Sequence, residues 1–232
     1  MHKPEALVPE LWTDGIERSR GAVVALTISQ MLPAPDWVET IRDQHRRFDA
    51  VGGAIDPAEG IGLADWAEYF CRYARDMRPF AGHESLDLPG DNAAYKRTWL
   101  DRTRETFSDG FWEPDVHREM SRQGASFWRA PELLVRQGRS AGWRAFMQQR
   151  LRHGRAYGNQ RGVRFSRGRN LAGFVGAPLV PFLMTLRVLR NVQAKRRYRG
   201  RMVAALPLIF FFNGVWAVAE ARGYLDVLTQ RD

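Results

Sequence analysis

Two carboxylates, Glu113 and Asp115, open the segment EPDVHREMSRQG. Residues 115–124 read as a helix stopped by Gly124, so both acids stand at a helix N-terminus. The positive end of the helix dipole favours a charged carboxylate there, and a charged carboxylate is what a general base needs. The same residues admit a plainer role, Asp115 as the N-cap and Glu113 beside it. Upstream, Asp91 and Asn92 follow a Pro-Gly pair, which a turn and a helix cap explain by themselves. Downstream, Arg150 and Arg152 carry guanidinium groups that suit phosphate and equally suit a solvated basic face. His117 and His153 are isolated histidines, which read as structural or surface residues. Cys71 is the single cysteine, so an internal disulfide framework and a Cys-x-x-Cys metal cluster are excluded, in keeping with a reducing cytoplasm.

The elements that must position these groups follow from the hydrophobic pattern. Residues 9–21 predict a short helix ending at Gly21. AVVALTIS (22–29) is an apolar, β-branched run of the kind that forms a buried parallel strand. Pro33 and Pro35 end it, Asp36 is placed to cap a helix over 37–48, and AVGGAI (50–55) reads as a second strand. That β–turn–α–β order predicts parallel pairing of 22–29 with 50–55 in an α/β sheet. A helix follows over 64–77, where Trp66, Tyr69, Phe70 and Tyr73 share one face and read as a core stripe. Loop-like residues 79–92 lead to a helix over 93–103, and a strand is expected to begin at 126.

Charge divides the chain. Residues 136–201 hold 17 Arg plus Lys and no Asp or Glu; the remainder holds 18 against 26. An acidic globular part is therefore joined to a cationic segment that seeks polyanions. A helix is expected to open this segment from residue 143. Two apolar runs follow, 16 residues at 171–186 and 17 at 203–219. Both fall short of the ~20 residues of a bilayer span. Basic residues flank the first run on both sides, and Pro178 and Pro181 interrupt it. These features favour helices that lie in or dip into an anionic leaflet, while the second run could span with tilt and both runs also read as buried helices packed on a core. The N-terminal MHKPEALVPELW carries no apolar run after its basic residue and reads as no signal peptide. Apolar runs interrupt the basic residues and no recognition motif is present, which argues against a nucleic-acid binder.

The order of segments resembles the middle and C-terminal part of bacterial family 2 glycosyltransferases of the GT-A fold. The segments that carry the resemblance are LWTDGIERSRGAVVAL, then PAPDW, then FDAVGGAI. PGDNAAYKR (89–97) is similar to the family's acceptor-side segment. GFWEPDVHREMSRQG (110–124) is similar to the segment with the catalytic base. FMQQRLRHGRAYG (146–158) resembles the Arg-rich helix that carries Q-x-x-R-W in processive members, with His153 in place of Trp. Trp216, Glu220, Gly223, Tyr224 and Leu225 resemble the end of the family's apolar helices. The resemblance covers residues 9–226.

It implies a truncated GT-A-like mixed sheet with flanking helices over 1–140. A basic, membrane-associating helical region with two apolar helices follows over 141–232. It implies Glu113, then Asp115, as base; Asp91 and Asn92 at the acceptor; and Arg150 and Arg152 on the donor diphosphate. A nucleotide-sugar donor, a lipid-linked or glycan acceptor and an anionic membrane surface are the partners, at the cytoplasmic face of the inner membrane. The family uses a divalent metal, Mg or Mn, at an Asp-x-Asp turn, where this chain reads Ile28-Ser29-Gln30. The units that hold the nucleotide have no counterpart before residue 9. A non-catalytic membrane-bound relative is the alternative.

Overall fold

The computed structural model describes residues 6–138 and 142–230. The chain forms two compact units, one of residues 1–56 and 76–137, the other of residues 57–75 and 138–232. Residues 57–75 thus group with the C-terminal helices, whereas the resemblance implies a single boundary between residues 140 and 141.

The first unit opens with α1 (Val8–Arg18), β1 (Val23–Thr27), β2 (Met31–Pro33), α2 (Trp37–Gln44) and β3 (Ala50–Pro57). After α3 (Leu63–Tyr73), which belongs to the other unit, come β4 (Asn92–Lys96), α4 (Arg97–Arg102), α5 (Glu113–Arg122) and β5 (Phe127–Gln137). The five strands make one mixed sheet in the order β1-β4-β3-β5-β2.

Residues 22–29 and 50–55 are therefore strands of one sheet, but they are not the neighbours expected. β4 lies between them and pairs antiparallel with both, Ala25 opposite Ala94 and Gly52 opposite Ala93. Nor is 93–103 a single helix. NAAYK is extended because it fills the slot between two strands. Ala93, Ala94 and Tyr95 are all buried, and Tyr95 carries its ring into the core beside Phe111 at 5.3 Å. A pleated strand turns successive side chains to opposite faces of the sheet, and here both faces are covered.

Glycines in β3 make the sheet possible. A Cβ on Gly53 would run into the Leu133 carbonyl and the Asn92 amide. That space is taken by Asn92, whose Nδ2 donates to the Ala54 and Leu133 carbonyls at 2.9 Å each. Its Oδ1 accepts from the Trp37 indole at 2.8 Å. One side chain so ties β4 to β3, β5 and α2. Asp36 precedes α2 but makes no capping bond. Below the sheet, Trp12, Phe107, Phe111, Val116 and Met120 form the core with Tyr95. Each large side chain buried there is worth about 1.5–3 kcal/mol over its exposed state.

Two ion pairs hold the places where the chain leaves this unit and returns. Arg78 bonds Asp56 at 2.9 Å, and Arg129 meets buried Asp76 at 2.6 Å.

The second unit comprises α3, α6 (Trp143–Arg164), α7 (Arg167–Gly176), α8 (Val180–Lys195) and α9 (Arg199–Thr229). A 3-10 turn at Ala177–Leu179, carrying Pro178, joins α7 to α8. α9 packs against all four other helices. Along α6, Gly154, Gly158 and Gly162 fall four residues apart. A Cβ on Gly158 would strike the Glu220 carbonyl, and one on Gly154 would meet Ala219 at 2.9 Å. Gly223 returns the contact, with the Gly158 Cα 2.8 Å from where its Cβ would stand. Small residues at this spacing let two helix backbones close on each other. The aromatic stripe of α3 is core, as its spacing predicts: Trp66, Tyr69, Phe70 and Tyr73 are buried.

Arg167–Lys195 and Arg199–Thr229 are each long and apolar enough to cross a membrane, at 29 and 31 residues. The apolar runs 171–186 and 203–219 are shorter than these helices because polar helical flanks extend them. Of their most apolar windows only 22% and 39% is buried.

Candidate active site

α5 begins at Glu113 rather than Asp115, because Trp112 takes the N-cap position and Pro114 is accommodated in the first turn. Asp115 therefore lies inside the first turn instead of capping it. Its carboxylate pairs along the helix with Arg118 at 3.1 Å. Glu113 turns the other way. A Cβ on Gly90 would collide with the Glu113 carboxylate and lie 2.8 Å from the Trp12 ring, so both side chains close over Gly90. The base candidate and the acceptor-side turn are thus brought together, with Asp91 the next residue.

A buried pair beneath Glu113 holds this arrangement. Tyr95 and the His117 Nε2 are 2.8 Å apart, and the His117 Nδ1 is 2.8 Å from the Leu86 carbonyl. A carbonyl only accepts, so Nδ1 carries the proton and the Tyr95 hydroxyl donates to Nε2. Burial pushes the His117 pKa down to about 4, against a weaker upward pull from that carbonyl. Burial also raises the Tyr95 hydroxyl well above its ordinary value, with the nearby Glu113 charge adding to the effect. His117 is thereby a neutral brace between α5 and the 79–91 loop, which agrees with its structural reading.

The turn after β1 lies at the same end of the sheet, since Thr27 pairs with Asn92. The Trp12 indole donates to the Thr27 carbonyl at 3.1 Å and fixes α1 there. Met31 pairs with Gln137, which brings the end of β5 to this edge too. Gln137 is fully buried, and neither of its side-chain polar atoms has a hydrogen-bond partner; the Gln30 carbonyl oxygen is likewise unpaired. Unmet buried amides are costly, and these two lie unpaired among the described residues. Sequence reading missed Gln137, whose only signal was a polar residue ending an apolar strand.

The metal implied by the resemblance finds no matching donors. Hard divalent cations take carboxylates, and Ile28-Ser29-Gln30 supplies a hydroxyl and an amide. No three His, Cys, Asp or Glu side chains gather to hold an ion among the described residues.

The remaining predicted residues divide. Asn92 is spent on the sheet. Arg150 is buried in the helical unit, where its Nη2 donates to the Asn213 Oδ1 at 2.8 Å and its guanidinium lies 4.9 Å from the Trp216 ring centre. Burial pulls its pKa down. Arg152 is exposed on a different face of α6. A concavity of about 590 Å³ elsewhere on the first unit, lined by Thr13, Glu17, Asp101 and Arg104, contains none of these groups. Its Arg104 and Glu17 pair with each other at 2.9 Å.

No protein-family model matches the chain, and no curated protein matches it.

Proposed function

We propose that the chain is a membrane-associated, glycosyltransferase-like protein that acts on a lipid-linked or glycan acceptor. The observation that carries this reading is the Glu113 carboxylate, seated on Gly90 beside Asp91 at the N-terminus of α5. Glu113 takes the proton of the acceptor hydroxyl as that oxygen attacks the anomeric carbon and the nucleoside diphosphate leaves. Asp91 orients the acceptor. Arg150 is committed inside its own unit, so no role on the diphosphate is assigned to it. No step is assigned to a metal.

Membrane association rests on where the apolar side chains go. Val175, Leu179, Phe182, Leu183, Val203 and Val218 are 62–68% exposed. A soluble core helix hides such residues, whereas a bilayer accepts them. The basic residues of 136–201 support a reading in which these helices meet an anionic leaflet, at about 1 kcal/mol each near the surface.

The carboxylate-free turn at 28–30 and the buried Arg150 favour a second reading, a non-catalytic relative that keeps the membrane anchor. Transfer of radiolabelled sugar from UDP- or GDP-sugars to extractable membrane lipid separates the two. Label that enters lipid with the wild type but not with Glu113→Gln supports catalysis. No transfer, together with no heat on titrating the nucleotide sugars, leaves the non-catalytic reading.

A further inference from the structure

A pocket of about 230 Å³ lies between α7 and α9 of the helical unit. Ala172, Gly173, Gly176 and Ala177 form one wall, Ala217 and Ala221 the other. Gly173 and Gly176 differ in what surrounds them. A Cβ on Gly173 would lie 2.9 Å from the Tyr224 ring, so the ring closes that end; a Cβ on Gly176 would meet nothing within 4 Å. Glu220 also lines the pocket, but its carboxylate accepts from the Trp216 indole at 2.9 Å, the Tyr224 hydroxyl at 2.7 Å and Arg161 at 3.3 Å. The charge is met within the protein, and the slot calls for no cation.

At the Tyr224 end the chemistry changes. Phe165 stacks on Tyr224 with ring centres 6.4 Å apart. The Arg169 guanidinium lies 4.0 Å, and that of Arg161 5.3 Å, from the Phe165 ring centre. Arg169 meets no carboxylate among the described residues. It sits four residues before Gly173 and seven before Gly176, on one face of α7. It also stands in the first turn of α7, at the positive end of that helix. A guanidinium at a helix N-terminus heads a narrow apolar slot, beside side chains exposed as in a bilayer.

We propose that this slot holds one acyl chain of an anionic phospholipid, with the phosphodiester on Arg169 and Arg161. Tyr224 and Phe165 mark the level at which headgroup gives way to hydrocarbon. The lipid enters along α7 with its tail toward Val180. This site rests on membrane association but not on sugar transfer.

The test uses the full chain in vesicles of phosphatidylcholine with a minor share of phosphatidylglycerol, followed by native mass spectrometry of the lipid it retains. Wild type retains phosphatidylglycerol above its share in the vesicle. Arg169→Gln lowers that retention about tenfold, as expected for one charge-assisted phosphate contact. Gly176→Leu fills the slot without striking the backbone and lowers it comparably, while vesicle co-sedimentation and helical circular dichroism stay unchanged. Failure to co-sediment at all would indict membrane association instead of the slot. Retained lipid that mirrors vesicle composition, retention indifferent to Gly176→Leu, or displacement by inorganic phosphate alone overturns the site.

Discussion

The two units close their backbones with the same residue for opposite ends. In β3, Gly53 makes room for a polar side chain, and Asn92 fills the gap with hydrogen bonds to three elements. In α6, Gly154 and Gly158 make room for another backbone, and α9 occupies the gap directly. The units differ again in where apolar side chains face. The sheet unit turns Tyr95, Phe107 and Phe111 inward, while the helical unit leaves Val175, Phe182 and Val218 outside. The first keeps its large apolar side chains from water, and the second presents an apolar outer face.

Breaking each unit at its own kind of contact sharpens this contrast. The largest effect is expected at Glu113. Glu113→Gln lowers sugar transfer by about 10²–10⁴, the usual share of a general base, with unfolding of the detergent-solubilised chain unchanged. A drop in stability equal to the drop in rate would reassign Glu113 to packing over Gly90.

Gly158→Leu comes next. The new side chain meets the Glu220 carbonyl, and overpacking there costs about 3 kcal/mol, seen as earlier loss of helical circular dichroism in a denaturant titration. Transition of the sheet unit at an unchanged midpoint, followed by hydrogen exchange of the β4 amides, would mark the two units as separately cooperative.

Acid is expected to weaken the sheet unit by a smaller amount. His117 is held neutral, with a pKa of about 4 against 6.5 for an exposed histidine. Between those values the unfolded chain binds a proton that the folded chain refuses, so stability falls as pH falls. Going from pH 6.5 to pH 5 costs roughly 1.5 kcal/mol, since the slope reaches 1.36 kcal/mol per unit only below the unfolded-state value. His45, lowered by burial as well, adds in the same direction. His117→Phe should flatten most of that slope, and an unaltered slope would move its cause elsewhere.

The smallest effect belongs to Asp115. Its i,i+3 pair with exposed Arg118 contributes about 0.5 kcal/mol, so Arg118→Ala costs no more than that and Asp115→Asn leaves transfer nearly intact. A large loss of transfer would exchange the roles of Asp115 and Glu113.

What the sequence disclosed follows from what each pattern can encode. The stripe of Trp66, Tyr69, Phe70 and Tyr73 was readable because a helix repeats its buried face locally. The strand at β4 was not, because NAAYK contains good helix formers and only insertion between β1 and β3 makes it extended. Pairing of 22–29 with 50–55 failed for the same reason, since a strand arriving forty residues later displaced it. Glu113 stood out by its place before a helix, yet its contact with Gly90 depends on a loop that no local pattern fixes. Gln137 was invisible, because an amide becomes informative only once its neighbours are seen to leave it unpaired. The glycine spacing in α6 was on view, and only the facing Gly223 gave it meaning.

The excursion through α3 carries a practical consequence. Both its ends are tied into the sheet unit, by Arg78 on Asp56 and by the Ile55 amide on the Asp76 carbonyl. Its aromatic face, however, is covered by helices that arrive after residue 142, as Trp66 beside Tyr198 illustrates. Cutting the chain near residue 138 would therefore not release a tidy sheet fragment. It would leave four aromatic rings bare on a tethered arm, and the product would clump unless the missing helices were added back.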